Sequence, residues 1–362
     1  MTGHLPFAGV LLLAFTSGLQ GQTSGRSQRQ IDLEKIGYPA QALCDYMFQD
    51  KDAYAKRHVE FLDPEHLLVS FPLRSSPCDR YGQPTANKFR SVIIDTTGTP
   101  LHSFDWSPRE NIQAGPDGHI LMSSGWEICL LDADFSTLQR IEWPKGQGPQ
   151  SKMTTWTGRL INAPSRRGFV ATDAYAPNHT AYFEGTPARQ TASVDTCWSL
   201  AVTDGGFACL DRSKQQLDIH LSDGERSVRA PALGKAAALL LPDPQTVLIL
   251  TDKHRLVQVD PSGADQEIAD LHWLVPGWNS GFRWDLASGA ARRVLFFSHG
   301  ARFPITDSSG FGYYLRVAVV DIGSKSIVFR KQYPIDSDVA ISPDGRTLAV
   351  RRKADLTLID LP

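Results

Sequence analysis

Ile341-Ser-Pro-Asp-Gly-Arg-Thr-Leu-Ala-Val350, followed after a short gap by Leu356-Thr-Leu-Ile-Asp360, is the stretch on which the fold turns. Pro presets the first bend of a type I turn, Asp bonds back to its own main chain, and Gly takes the positive φ that ends it. Short runs flank the turn: Asp338 to Ser342 before it, Thr347 to Val350 after it, and Leu356 to Ile359 beyond. Three strands are thus predicted. The fourth, outer strand of this unit is expected from the amino-terminal side, within Gln30 to Phe48, where it would close a ring and remove an exposed sheet edge.

Working outward, the same punctuation recurs. Turns of this kind fall at Asp63-Pro64-Glu65-His66, Gly115-Pro116-Asp117-Gly118, Ser165-Arg166-Arg167-Gly168 and Thr203-Asp204-Gly205-Gly206. Two more lie at Pro242-Asp243-Pro244-Gln245 and Leu286-Ala287-Ser288-Gly289, so with Ser342 to Gly345 the period is about 38 to 55 residues. Runs such as Ser91 to Asp95, Val247 to Leu250, Val294 to Phe297 and Arg316 to Asp321 are apolar at consecutive positions, as strands buried on both faces are. Helical periodicity is nearly absent after Val59, and only Ala40 to His58 is suited to a short helix. Four-stranded units at this spacing predict an all-β, seven-bladed β-propeller of antiparallel blades, with the ring closed by an N-terminal strand. An aromatic followed closely by Pro marks several unit ends, at Trp106-Ser-Pro108, Trp143-Pro144, Trp273-Leu-Val-Pro276 and Tyr333-Pro334. Such a residue either covers the blade end or lines a ligand surface.

The last unit, and less closely Gly115 to Asp132, resembles the repeat of bacterial YVTN and TolB-like propellers, a WD40-like group. That resemblance implies the propeller fold and is compatible with partner binding in the bacterial envelope. Trp284-Asp285 lies before a turn and not at the end of a third strand, which departs from the WD40 pattern.

The chain has 362 residues, with 37 Lys and Arg against 39 Asp and Glu. A formal charge of −2 offers no general attraction to nucleic acid or to an anionic membrane. Residues Leu5 to Phe15 form an apolar run too short to span a bilayer, followed by small and polar residues. Residues 1–21 are expected to be a signal peptide, cleaved after Gly18 or Gly21, although the run is preceded by no Lys or Arg. Residues 22–58 would then supply the ring-closing strand and 59–362 the propeller. The mature protein is expected to be exported, periplasmic or extracellular, monomeric and without a transmembrane anchor.

The five cysteines, Cys44, Cys78, Cys129, Cys197 and Cys209, form no CxxC pair, which excludes a zinc ribbon. Cys44 with Cys78 is the first pairing to test, and Cys129 is expected to be a buried small hydrophobe. No two histidines stand closer than His58 and His66, so HExxH and HxH metal sites are absent. Gly277-Trp-Asn-Ser-Gly281 misses GxSxG by one position, and Lys145-Gly-Gln-Gly-Pro149 lacks the helix of a phosphate cradle. No catalytic residue, metal or cofactor is assigned.

Loop length gives the clearest functional expectation. Arg74 to Lys88 and Ser298 to Gly312 are expected as long second-to-third-strand loops of the first and sixth units, with Arg351 to Asp355 between them in the seventh. Seven basic residues against three acidic ones give the three loops a local formal charge of +4. Arg74, Arg80, Tyr81, His299, Arg302, Phe303, Arg351, Arg352 and Lys353 are the candidate binding residues, since long loops on a rigid scaffold commonly carry function. The favoured reading is a binding or interaction module for a protein or a small anionic ligand, and not for nucleic acid. The alternative is a hydrolase or lyase with its site at the mouth of the central channel, where His299, Asp307 and Asp173 are acid or base candidates.

Overall fold

A computed structural model describes residues 26–39, 59–73, 88–107, 110–124, 127–143, 158–172, 178–197, 199–259, 265–274, 281–287, 292–302, 312–334 and 337–362. The first strand, β1 (Gln28–Asp32), precedes a single 3-10 turn at Leu33–Ile36. Blade one holds β2 (Val59–Phe61), β3 (His66–Pro72), β4 (Phe89–Asp95) and β5 (Pro100–Trp106), and blade two β6 (Asn111–Ala114), β7 (Ile120–Ser123), β8 (Glu127–Leu131) and β9 (Thr137–Glu142). Blade three holds β10 (Arg159–Asn162), β11 (Gly168–Thr172), β12 (Asn178–Glu184) and β13 (Arg189–Cys197), and blade four β14 (Leu200–Thr203), β15 (Gly206–Asp211), β16 (Gln216–Leu221) and β17 (Gly224–Arg229). Blade five holds β18 (Ala236–Asp243), β19 (Thr246–Thr251), β20 (Arg255–Val259) and β21 (Asp265–Asp270). Blade six holds β22 (Gly281–Ala287), β23 (Arg293–Arg302), β24 (Gly312–Asp321) and β25 (Ser326–Pro334), and blade seven β26 (Ser337–Ile341), β27 (Thr347–Arg352) and β28 (Asp355–Asp360).

Every blade is an antiparallel meander, and the seventh is completed by β1, giving the order β1-β28-β27-β26. Gln28 pairs with Ile359 and Asp32 with Asp355, so the outermost strand of the last blade comes from the other end of the chain. The expected closing segment is therefore right in kind, and its strand begins two residues before Gln30. All seven quoted turns join first strands to second strands, with 288–291 of the sixth outside the described residues.

The consecutive apolar runs have a direct explanation in the packing. Val294 and Phe296 of β23 pack with Ala238, Leu240 and Leu248 of blade five, whereas Leu295 packs with Val339, Ile341 and Leu348 of blade seven. Each sheet is thus sandwiched between two others, and alternate residues of one strand belong to different interfaces. A fully buried Leu, Ile or Phe in such an interface contributes about 1.5–3 kcal/mol of apolar transfer free energy.

Polar side chains tie the innermost strands together around the channel. Asp338 accepts from Val59 N at 2.9 Å, Glu60 from Ala114 N at 2.6 Å, and Asn162 donates to Ala114 O at 2.7 Å. These bonds link blade seven to one, one to two, and three to two. At the first-to-second-strand turns, Tyr182 of β12 accepts from Gly205 N at 3.1 Å and Ser165 N donates to Asp204 at 2.8 Å, joining blades three and four.

The cysteines are partly resolved. Cys197, at the end of β13, is disulfide-bonded to Cys209 in β15, stapling blade three to blade four. Cys129 is free and buried, as expected. Cys44, Cys78 and the expected helix at Ala40 to His58 lie outside the described residues.

Two loop expectations are corrected. The second-to-third-strand connection of blade six is not a loop from Ser298 to Gly312, because β23 and β24 stay paired as far as Arg302 and Gly312. In blade seven, Arg351 and Arg352 belong to β27, and the turn is only Lys353-Ala354, with Lys353 at φ 52°. Charged residues led to the expectation of a loop there, but ladder pairing requires only backbone, and it ran further than side-chain polarity indicated.

Candidate functional site

The ring has two ends. At one, first strands turn into second strands. At the other, second strands pass to third strands and each blade passes to the next.

The turn end surrounds one mouth of the channel. Asp63 accepts from the amides of Glu65 and His66 at 2.7 and 2.9 Å and contacts His66 Nδ1 at 2.8 Å. Asp344 accepts from Ser342 Oγ at 2.6 Å and Arg346 N at 3.1 Å. These are Asx turns, in which each carboxylate bonds back to its own turn. A cavity of about 650 Å³ lies there, lined by Arg167, Glu184, Asp204, Asp243, Arg292 and Asp344 among others. Asp243 is paired with Arg292, which also donates to Thr246 Oγ1 at 2.9 Å. The cavity lining thus combines carboxylates and guanidiniums without a histidine.

At the opposite end the candidate residues separate. Arg74, Arg80, Tyr81 and Phe303, with Asp307 and Asp173, lie outside the described residues. His299 and Arg302 stand on β23 opposite Leu315 and Gly312. Arg351 is only 8% exposed, and its guanidinium donates to the Tyr38 hydroxyl at 2.9 Å and lies over that ring, 5.7 Å from its centroid. Its Nε is 4.0 Å from Asp338. Arg351 therefore binds the closing segment to blade seven, a role in the ring itself. Arg352 and Lys353 point outward and are exposed.

A further group at this end was not among the candidates. Trp273, in the connection from blade five to blade six, carries Arg316 at 5.0 Å and Arg330 at 5.2 Å from its ring centroid, and Arg316 also lies 4.7 Å from the Tyr314 ring. The aromatic-before-Pro pattern had marked Trp273, but its two arginines come from strands 43 residues and more away. The other marked aromatics cover blade ends. Trp106 is 3% exposed, stacks on Phe89 at 4.8 Å and donates to Ser91 Oγ at 3.0 Å. Trp143 donates to Ser124 O at 2.7 Å, and burial pushes the Tyr333 hydroxyl pKa up.

Among the described residues no group of three or more His, Cys, Asp or Glu is arranged to hold a metal ion, and no helix is long and apolar enough to cross a membrane.

No protein-family model matches the sequence, and no curated protein matches it. The chain is similar in structure to a component of the mitotic checkpoint complex, at 12% identity and TM-score 0.50, over 99% of this chain and 98% of that one. It is also similar to BamB from Moraxella catarrhalis, at 10% identity and TM-score 0.41, over 84% of this chain and 82% of that one. A third similarity is to PorZ, a surface component of the type-IX secretion system of Porphyromonas gingivalis, at 11% identity and TM-score 0.48 over 84% of this chain but 38% of that one. At such identities the likeness concerns architecture alone; the seven four-stranded sheets, the last completed by β1, make this protein a seven-bladed β-propeller.

Proposed function

We propose that the protein is an exported binding module of the YVTN/TolB-like kind, engaging a protein partner or a small anionic ligand at the end of the ring where second strands pass to third strands. The observation that carries this reading is the exposure of four basic side chains on blades six and seven. Arg330, Lys331, Arg352 and Lys353 are all exposed there, on a protein whose formal charge is −2. A basic patch on a slightly acidic body steers acidic partners and adds little to stability. Export is supported by the Cys197–Cys209 disulfide, which persists in an oxidising compartment, and by the apolar run from Leu5 to Phe15.

The experiment compares wild type with Arg352→Glu/Lys353→Glu, leaving Arg351 in place because it is buried. Thermal melts against a panel of anions and metabolites come first, since a ligand at 100 times its Kd adds about 2.7 kcal/mol. Capture from envelope extract at low and high salt follows. A ligand shift or a salt-sensitive partner that the variant loses supports the reading. Equal capture of a protein partner by the variant, with no anion shifting the melt of either protein, overturns it.

A second reading, hydrolysis or lyase chemistry at the channel mouth, draws on the cavity of about 650 Å³ at the turn end, a volume suited to a small molecule. Turnover of a hydrolase substrate panel that falls with Asp204→Asn or Glu184→Gln would favour it over binding alone.

A further inference from the structure

Arg316 and Arg330 stand on neighbouring strands of blade six. In the β24–β25 ladder Arg316 is opposite Gln332 and Ala318 is opposite Arg330, so the two arginines are diagonal neighbours on one face. Such neighbours are about 7–8 Å apart, within reach for long side chains. Trp273 covers both, with its ring centroid 5.0 Å from the Arg316 guanidinium carbon and 5.2 Å from that of Arg330.

Among the described residues neither guanidinium forms an ion pair, whereas Arg90, Arg140, Arg255 and Arg292 each have a carboxylate. Arg316 uses Nε on Gln332 and Nη1 on the Trp273 carbonyl, which fixes its plane. Arg330 is exposed and makes no hydrogen bond within the protein among the described residues, so its N–H donors are accessible to a ligand. Two like charges held against one half-buried indole repel each other, and cation–π attraction to the shared ring offsets only part of that repulsion.

We infer that Arg316, Arg330 and Trp273 form a binding site for a phosphate monoester group. One carboxylate presents two oxygens and a single charge, which one guanidinium fork satisfies. A phosphate monoester carries about −1.5 to −2 at pH 7 and three acceptor oxygens, enough to meet both guanidiniums at once. The apolar indole beside it limits water and strengthens the charge-assisted bonds. This inference rests on the reading that this end of the ring takes anionic ligands, and it assigns the ligand's chemistry to residues separate from Arg352 and Lys353.

The test uses the full mature protein in titration calorimetry, with glycerol 3-phosphate as probe and acetate as the singly charged control. Wild type is expected to bind glycerol 3-phosphate at least about tenfold more tightly than acetate. Arg330→Gln is expected to weaken that binding about tenfold or more, the scale of a charge-assisted hydrogen bond, with an unchanged melting curve. Arg352→Glu/Lys353→Glu is expected to retain it, so loss of the partner reading and loss of this one are told apart. Phosphatidic acid vesicles, against phosphatidylcholine alone, separate a lipid headgroup from a soluble phosphoester as the source, and binding to either counts as support. Equal affinity for acetate, or an Arg330→Gln protein that binds as wild type does, overturns the assignment.

Discussion

Arg166 of blade three donates to the main-chain carbonyl of Phe61 in blade one at 2.6 Å, across 105 residues of sequence and past the whole of blade two. Arg166 is 8% exposed, takes a left-handed φ of 55°, and its own carbonyl accepts from Asp117 N of blade two at 2.7 Å. One residue thereby joins three blades at the turn end of the channel. Arg166→Ala leaves a buried carbonyl without its charged donor and should lower unfolding free energy by about 2–3 kcal/mol in urea melts. A change below about 0.5 kcal/mol would show that this link does not hold the ring.

Ring closure is tested where β1 meets blade one. Leu33 is fully buried and its amide donates to Ala354 O at 2.8 Å, so Leu33→Ala should cost about 2–4 kcal/mol. Gly98 lies at φ +92°, and a Cβ there would sit 2.5 Å from Ile31 Cγ2. Gly98→Ala is therefore strained twice, by backbone and by contact. In Gly98→Ala/Ile31→Ala the loss should fall short of the sum of the single losses, because the second change removes the clash. Strict additivity in a double-mutant cycle would place Ile31 elsewhere.

The Cys197–Cys209 bond closes a short loop, with a sequence separation of 12. Cross-linking a loop of this size restricts the unfolded chain by about 3 kcal/mol. Cys197→Ser/Cys209→Ser should melt several degrees below wild type, and a reductant should lower the wild-type melting temperature but not that of the variant through this bond. Equal melting temperatures for the two proteins under oxidising conditions would rule the staple out as a source of stability.

Acid sensitivity has an identifiable contributor in Asp95. The Thr97 hydroxyl donates to it at 2.6 Å, and with the amides of Thr99, Thr97 and Gly98 it holds the Asp95 carboxyl down at about 2. The folded value lies below the unfolded one, so the stabilisation is present above about pH 4 and is lost as pH falls toward 2. Asp95→Ala should be less stable than wild type near neutrality, and the two stability curves should converge on acidification. A stability difference that stayed constant from pH 6 to pH 2.5 would exclude this ionisation as its cause.

The blade count was legible because each blade carries its own local grammar. Turns such as Ser342-Pro-Asp-Gly345 are specified by neighbours in sequence, and strands such as Val247 to Leu250 announce by unbroken apolarity that both faces are covered. The binding residues were less legible. Arg351 and Arg352 are adjacent and chemically identical, yet one is buried against Tyr38 and the other is exposed. Strand alternation sends them to opposite faces, and only the ladder shows which face meets the closing segment.

By itself the sequence determined the all-β class, the seven repeats and the need for an N-terminal strand, because turn chemistry and apolar runs are local properties. Tertiary structure alone decided that Arg166 reaches Phe61, that Cys197 pairs with Cys209, and that Arg316 and Arg330 share the ring of Trp273. Those relationships depend on how blades rotate about a common axis and on which face of each strand meets which neighbour. Closure of the ring sets both, and no single segment encodes them.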